Sequence, residues 1–174
     1  MSALAISYSK SEQQNTTAYS FQRTFIFPRH IAKIKVRYSS RVPEHSRIKI
    51  TQSEDAADVL RAKWDEGKIE HVEEFKTILL NRANQVLGVA DISSGGVSGC
   101  TADPKLIYQI ALVSNASGVI ISHNHPSGNL KPSQADIDLT RKLKEGGKFL
   151  DCPVLDHVIL TKSSYYSFAD NGIL

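Results

Sequence analysis

The sequence predicts a mixed α/β domain, a central sheet packed by helices, and three observations carry that expectation. Short apolar runs alternate with three segments of helical periodicity. Two of the runs, Glu74 to Leu80 and Gln85 to Ile92, flank the polar stretch Asn81-Arg82-Ala83-Asn84, which reads as a hairpin. Gly118-Val119-Ile120-Ile121-Ser122 is short and apolar in the manner of a strand buried on both faces.

The elements follow in order. Residues 1–20 are rich in Ser, Gln, Asn and Thr and are expected to be disordered. Ile34-Lys35-Val36-Arg37-Tyr38 alternates apolar and basic residues, the pattern of a half-exposed strand. Residues 1–50 therefore read as a basic N-terminal arm with one or two short strands, and residues 51–174 as the domain proper. Thr51 to Trp64 is helical in pattern, with Ser53 as cap, Asp55 in the first turn and Ala56, Val59, Leu60 and Ala62 as the apolar stripe. After the hairpin, Ser93 to Gly99 is a Gly/Ser-rich loop. Asp103-Pro104 starts a second helix that runs to Asn115, with Leu106, Ile107, Ile110, Ala111 and Leu112 on one side. A polar loop from Asn124 to Pro132 leads to a third helix over Ser133–Lys148, and Val154–Leu160 and Tyr165–Phe168 close the sheet. No internal repeat is present.

Composition narrows the function classes. With 174 residues, 41% hydrophobic and 22% charged, the chain fits one ordinary globular domain. No apolar run approaches the roughly 18–20 residues of a membrane span. Met1–Thr17 lacks the charged start and apolar middle of a signal peptide, so the expected compartment is cytoplasmic. Cys100 and Cys152 have no CxxC spacing; they read as buried free thiols, not as a thiolate metal site or a disulfide framework. The net charge of +3 is unevenly placed: residues 1–50 hold nine Lys/Arg against two acids, and the remainder twelve against sixteen. A basic front of this kind is either a solvated arm or a footprint for phosphate, so nucleic acid is kept as a possible partner.

Chemistry concentrates in one stretch, Ile121 to Asp136. His123 and His125 stand two apart at the end of a strand, so both imidazoles can project from the same face. Pro126 stops the strand from continuing as a paired central one. The loop then returns the chain to a helix whose first turn carries Asp136. Two imidazoles and one carboxylate around a position left open for water are the ligand set of a catalytic zinc. Ser133-x-x-Asp136, behind Pro132, also has the form of a helix capping box, and a capped first turn is a rigid place from which to aim Asp136.

The pattern His-x-His-Pro, six residues, Ser-x-x-Asp, met by His123, His125, Pro126, Ser133 and Asp136, resembles the JAMM (MPN-plus) metalloprotease signature. His-Asn-His-Pro-Ser-Gly followed by Pro-Ser-x-x-Asp and Leu139-Thr140 is similar, within that superfamily, to the bacterial RadC-like family. Leu79-Leu80-Asn81, Ala116 and Leu155-Asp156-His157 extend the resemblance over roughly residues 50–174.

The resemblance implies a JAMM/MPN-type fold, a curved mixed sheet flanked by helices and related to the cytidine deaminase architecture. It implies that Ser133 stabilises the oxyanion of a tetrahedral intermediate, and that an upstream glutamate is the general base. That glutamate precedes by two residues an aromatic opening the first hairpin strand, which here selects Glu73 before Phe75. Glu74 is the rival and Glu70 a third candidate; strand alternation puts Glu73 and Glu74 on opposite faces. RadC-like proteins often carry a helix-hairpin-helix DNA-binding region, and residues 1–50 contain no such Gly-bearing helix pair.

The resulting expectation is a zinc-dependent peptidase or isopeptidase with one Zn²⁺ per chain, a peptide or protein substrate and no membrane partner. Two other readings stand beside it. A metal-dependent nuclease would want a carboxylate-rich, often two-metal site, and a DNA-associated binding module would need no intact glutamate. Base deamination is disfavoured, because the His-x-Glu and Pro-Cys-x-x-Cys elements are absent.

Overall fold

The structure is a computed structural model that describes residues 35, 37–40, 42–95 and 102–174. The chain divides into the units Met1–Lys35 and Val36–Leu174, and the fold described here is that of the second. The expected disorder of residues 1–20, and Cys100, fall outside the described residues.

A one-turn 3-10 helix, Glu44–Ser46, precedes α1 (Ser53–Arg61), β1 (Glu74–Leu80), β2 (Val86–Ser94), α2 (Pro104–Val113), β3 (Gly118–Asn124), α3 (Gln134–Phe149), β4 (Val154–Leu160) and β5 (Tyr165–Ser167). The strands form one mixed sheet in the order β2-β1-β3-β4-β5. Only β3 and β4 are parallel, joined through α3; the other neighbours are antiparallel. This is the mixed α/β domain that the alternation of apolar runs predicts.

Period-two alternation splits the core into two layers. On one face, Ile78 and Leu80 of β1, Ile120 of β3 and Val158 and Leu160 of β4 pack under Ala56, Ala57, Val59 and Leu60 of α1, with Trp64 and Ile69 of the following turn. On the other face, Phe75, Leu79, Val119 and Ile121 pack under Ile107, Tyr108 and Ala111 of α2 and Leu143 of α3. Every residue of β1 and β3 is buried, so the strand end that carries His123 is fixed from both sides. Gly147 lets the end of α3 close on the sheet: a Cβ there would lie 2.6 Å from the Cys152 carbonyl oxygen and 2.8 Å from the Tyr108 hydroxyl. Cys152 is a buried free thiol.

The hairpin turn is set by Asn81 and Asn84. The Asn81 side-chain oxygen accepts the backbone N–H groups of Ala83 and Gln85, each at 2.9 Å, and Asn84 takes the left-handed conformation (φ 57°).

Three local expectations are corrected. Lys35 and residues 37–40 form no strand; Ile34 and Val36 lie outside the described residues. The outer edge at the start of β2 is met instead by residues 48–50, where Ile48 accepts from Val86 N–H and Lys49 bridges Gln85. The Tyr38 hydroxyl donates to the Leu87 carbonyl of β2 at 3.3 Å. Ser53 is not the cap of α1. That position belongs to Gln52, and the Asp55 carboxylate accepts from the Thr51 and Gln52 N–H groups at 2.8 and 3.2 Å. Ser53, one residue inside, places its hydroxyl 3.1 Å from that of Tyr165 and donates to Asp170. The apolar stripe includes Ala57, and Ala62 is exposed beyond the helix end.

Candidate metal centre

The centre forms where β3 ends and α3 begins. His123 is the sixth residue of β3 and 1% exposed. It is paired across the sheet with Phe75, whose ring stacks on the imidazole with planes 2° apart. His125 follows one residue beyond the strand. Its N–H donates to the Leu160 carbonyl at 2.9 Å, which prolongs the β3–β4 ladder and keeps both imidazoles on one face. Pro126 and Ser127 then turn the chain, closed by the Gly128 N–H donating to the His125 carbonyl at 3.0 Å, with Gly128 at φ 77°. The turn returns the Asn129 carbonyl to His125, whose Nδ1–H donates to it at 2.5 Å. A carbonyl only accepts, so a neutral His125 carries its proton on Nδ1 and presents a bare Nε2.

Ser133 caps α3, and the expected capping box is present. The Ser133 N–H and hydroxyl both donate to Asp136 Oδ2 at 2.7 Å, and the Asp136 N–H donates back to Ser133 Oγ at 3.2 Å. This occupies Oδ2 and leaves Oδ1 directed at the histidines. Burial by itself would raise the Asp136 carboxyl, but the hydrogen bond and charge of His123, followed by the Ser133 donors, hold it well below the usual carboxylate range.

His123, His125 and Asp136 therefore meet, with one donor atom from each lying within 4.8 Å of the others. The two Nε2 atoms are 3.0 Å apart, and His123 Nε2 is 3.3 Å from Asp136 Oδ1. His125 Nε2 is 4.0 Å from Oδ2. Tetrahedral bonds of about 2.0–2.2 Å place neighbouring donors roughly 3.3–3.5 Å apart, so small adjustments bring the three onto one ion. Two imidazole nitrogens and a carboxylate oxygen in this proximity are reconciled either by a ring proton or by a shared cation. The residues fit a metal ion, and among the described residues these three form the group.

The three candidate bases lie in different surroundings. Glu73 immediately precedes β1, which begins at Glu74, and is two residues before Phe75, the cross-strand partner of His123. Glu73 is half-buried, and its carbonyl accepts from Gly95 N–H at 2.8 Å. Glu74 belongs to the α1 face, where it is 6% exposed and lies 3.3 Å from Lys68 Nζ and 3.6 Å from Lys76 Nζ. Glu70 is exposed and pairs with Lys162 at 2.6 Å.

The structure adds residues to which sequence reasoning gave no role. Asn124, between the two histidines, points to the opposite face and is fully buried. Its side-chain oxygen accepts the Glu74 N–H at 2.7 Å, and its amide donates to the Ile69 and Val72 carbonyls at 2.7 and 2.9 Å. It thus fixes the chain on both sides of Glu73. His157 of β4, also fully buried, lies with Nε2 2.9 Å from His123 Nδ1 and Nδ1 2.6 Å from the Thr140 hydroxyl. Burial, and then the charge of His123, push the His157 imidazole well below its ordinary range. Two sequence signals pointed here: the middle residue of His-x-His must face away from the site, and Thr140 is one helical turn after Asp136.

Comparison with known proteins agrees with this geometry. A family model described as RadC-like JAB domain matches residues 50–173. A UPF0758 protein of Flavobacterium johnsoniae is 45% identical over 125 residues, covering 72% of this chain and 53% of that protein. A UPF0758 protein of Salinibacter ruber is 36% identical over 141 residues, covering 79% and 58%. One from Methanosarcina mazei is 36% identical over 131 residues, covering 75% and 56%. The chain spans a little over half the length of these curated relatives. Among the described residues, no helix is long and apolar enough to cross a membrane.

Proposed function

Because this chain belongs to the RadC-like JAB domain family and its two imidazoles and one carboxylate converge on a single point, we propose that it is a zinc-dependent hydrolase of the peptidase or isopeptidase class. The observation that carries the reading is the three-residue ligand set, His123, His125 and Asp136. Three protein donors of mixed nitrogen and oxygen type suit zinc, and an open fourth position suits a catalytic site over a structural one. A zinc ion held there would polarise a scissile carbonyl and lower the pKa of a bound water to about 7.

The protein's own residues supply the remaining functions. Glu73 acts as general base, taking the proton of the attacking water and passing it to the leaving amine. Ser133 donates its hydroxyl to the oxyanion that develops on the substrate carbonyl. That hydroxyl is bonded to Asp136 Oδ2, so it must turn toward substrate. The Ser133 N–H remains on the same carboxylate oxygen and keeps Asp136 aimed while it does so. The nuclease reading finds no support in the composition of the site, which holds one carboxylate where two-metal chemistry wants several.

The test is hydrolysis of quenched-fluorescent peptide and isopeptide libraries by zinc-loaded protein. Cleavage that a chelator abolishes, that zinc restores and that is lost in Glu73→Gln supports the reading. Cleavage indifferent to chelation, or zinc-dependent cleavage indifferent to both Glu73 and Ser133, contradicts it.

A further inference from the structure

Four groups behind the metal centre form a hydrogen-bond chain whose direction follows from chemistry alone. At one end is the backbone carbonyl of Asp136, which can only accept, and the Thr140 hydroxyl donates to it at 2.6 Å. A hydroxyl has one hydrogen, so Thr140 Oγ must accept in its other contact, from His157 Nδ1 at 2.6 Å. His157 therefore carries its proton on Nδ1. A neutral His157 then presents a bare Nε2, which accepts from His123 Nδ1 at 2.9 Å. His123 therefore carries a proton on Nδ1, and Nε2, which faces His125 and Asp136, is the atom free to take a metal. Each link admits one polarity, and reversing any of them leaves a buried acceptor facing another acceptor or a donor facing a donor.

The rings cannot escape this arrangement by rotation. His157 is fully buried between Phe168, whose ring stacks on it at 4.4 Å and 23°, and the Phe75 ring at 5.9 Å. His123 is pinned by Phe75 on one face. The chain starts on the main chain of one metal-facing residue, Asp136, and ends on the ring of another, His123, so it ties the first turns of α3 to the end of β3.

We propose that His157 is a positioning residue, which takes no part in ligation and holds His123 in the one tautomer that offers Nε2 to a metal. The proposal rests on the metal-centre reading above. It goes beyond that reading by giving the Asp156-His157 segment a function and by making Thr140 part of the centre's support.

The experiment uses histidine-labelled ¹⁵N protein in two states. Long-range ¹H–¹⁵N spectra of the chelator-treated, metal-free protein report the tautomer of each imidazole, and competition with a chromophoric chelator reports the zinc dissociation constant. Wild-type His123 should be the Nδ1–H tautomer without metal. His157→Phe keeps a ring but no acceptor. It should lose that single tautomer and weaken zinc binding about 10–100-fold, the usual effect of removing such a supporting partner. His157→Gln, whose amide oxygen can accept in place of Nε2, should recover zinc affinity to within a few-fold of wild type. Thr140→Val, near-isosteric and without the hydroxyl, provides the same test should His157→Phe fail to fold: His157 becomes a tautomer mixture and zinc binding weakens. A His123 that stays fully Nδ1–H with unchanged zinc affinity in these variants overturns the proposal, as does a Gln variant no better than Phe. A wild-type protein that binds no zinc sinks the metal-centre reading alone, because the metal-free spectra still decide whether His157 sets the tautomer.

Discussion

Asn124 accepts the Glu74 backbone N–H at 2.7 Å, and through that bond the residue between the two histidines holds the start of β1. The same side chain donates to the carbonyls of Ile69 and Val72. One amide thus sets the path of the segment that leads into Glu73 while its neighbours, His123 and His125, face the candidate metal site. Asn124→Ala removes the partner of three backbone groups, two of them buried and the Val72 carbonyl half-buried. It is expected to cost about 2–4 kcal/mol of stability, read from urea unfolding, because each orphaned buried group costs about 1–3 kcal/mol and relaxation recovers part of it. A loss below about 0.5 kcal/mol would show that the segment does not depend on Asn124.

Glu73 and Glu74 should separate catalysis from stability. Glu73→Gln keeps shape but cannot take a proton at neutral pH. Turnover should fall by roughly 10²–10⁴-fold with zinc content and melting temperature near wild type. Glu74→Gln removes the charge that meets Lys68 and the 5% exposed Lys76, whose Nζ also lies 4.9 Å from the Trp64 ring centroid. Lys76 keeps its ion pair with Asp91 at 2.5 Å, so the loss is partial: this variant should lower the melting temperature modestly and retain turnover per folded molecule. The opposite ranking would transfer the base role to Glu74, despite its place on the far face of the sheet.

The pH dependence of the metal-free protein should carry the mark of His157. Its burial, and then the charge of His123, disfavour the cation in the fold, whereas the unfolded chain protonates near pH 6.5. Below that pH the unfolded state binds a proton that the fold refuses, so stability rises with pH in this window. The His157 contribution is complete above about pH 6.5 and declines as pH falls, until the folded imidazole is itself forced to protonate. Wild type should therefore lose stability between about pH 6.5 and 5.5 more steeply than His157→Gln, by up to about 1.4 kcal/mol per pH unit. Parallel curves in chelator-treated samples would remove His157 from the acid response.

Ser133 caps α3 and, in the proposed function, also donates to the oxyanion, and substitution should divide the two roles. Ser133→Ala removes the hydroxyl but retains the backbone N–H that donates to Asp136 at 2.7 Å. Zinc affinity should fall only a few-fold, while turnover falls by about 10²-fold or more, the scale of one lost oxyanion donor. Equal losses in affinity and turnover would mean that Ser133 serves only as the cap of α3.

Much of this architecture was legible because it follows from local chemistry. The sheet strands, the Asn81–Asn84 turn, and the Asp103 and Ser133 caps are fixed by alternation and by short polar side chains acting on nearby backbone. The convergence of His123, His125 and Asp136 was legible because a strand end and a capped helix start are both stiff over a few residues. What escaped is what depends on distant pairings. Residues 34–38 alternate as a strand would, but the edge of β2 is met by residues 48–50. Gln52 displaces Ser53 as the α1 cap because Asp55 reaches back to Thr51 and Gln52. The partnership of His157 with His123 spans 34 residues and arises from the parallel β3–β4 pairing, which no local pattern announces.

The most direct measurement is anomalous diffraction at the zinc absorption edge from crystals of the zinc-loaded protein. The expected result is one strong peak per chain within about 2.0–2.2 Å of His123 Nε2, His125 Nε2 and Asp136 Oδ1, with an ordered water completing the coordination and the Glu73 carboxylate in hydrogen-bond reach of it. No peak at this point, or a zinc held there by four protein ligands with no position for water, would contradict the assignment of the centre as a catalytic zinc site.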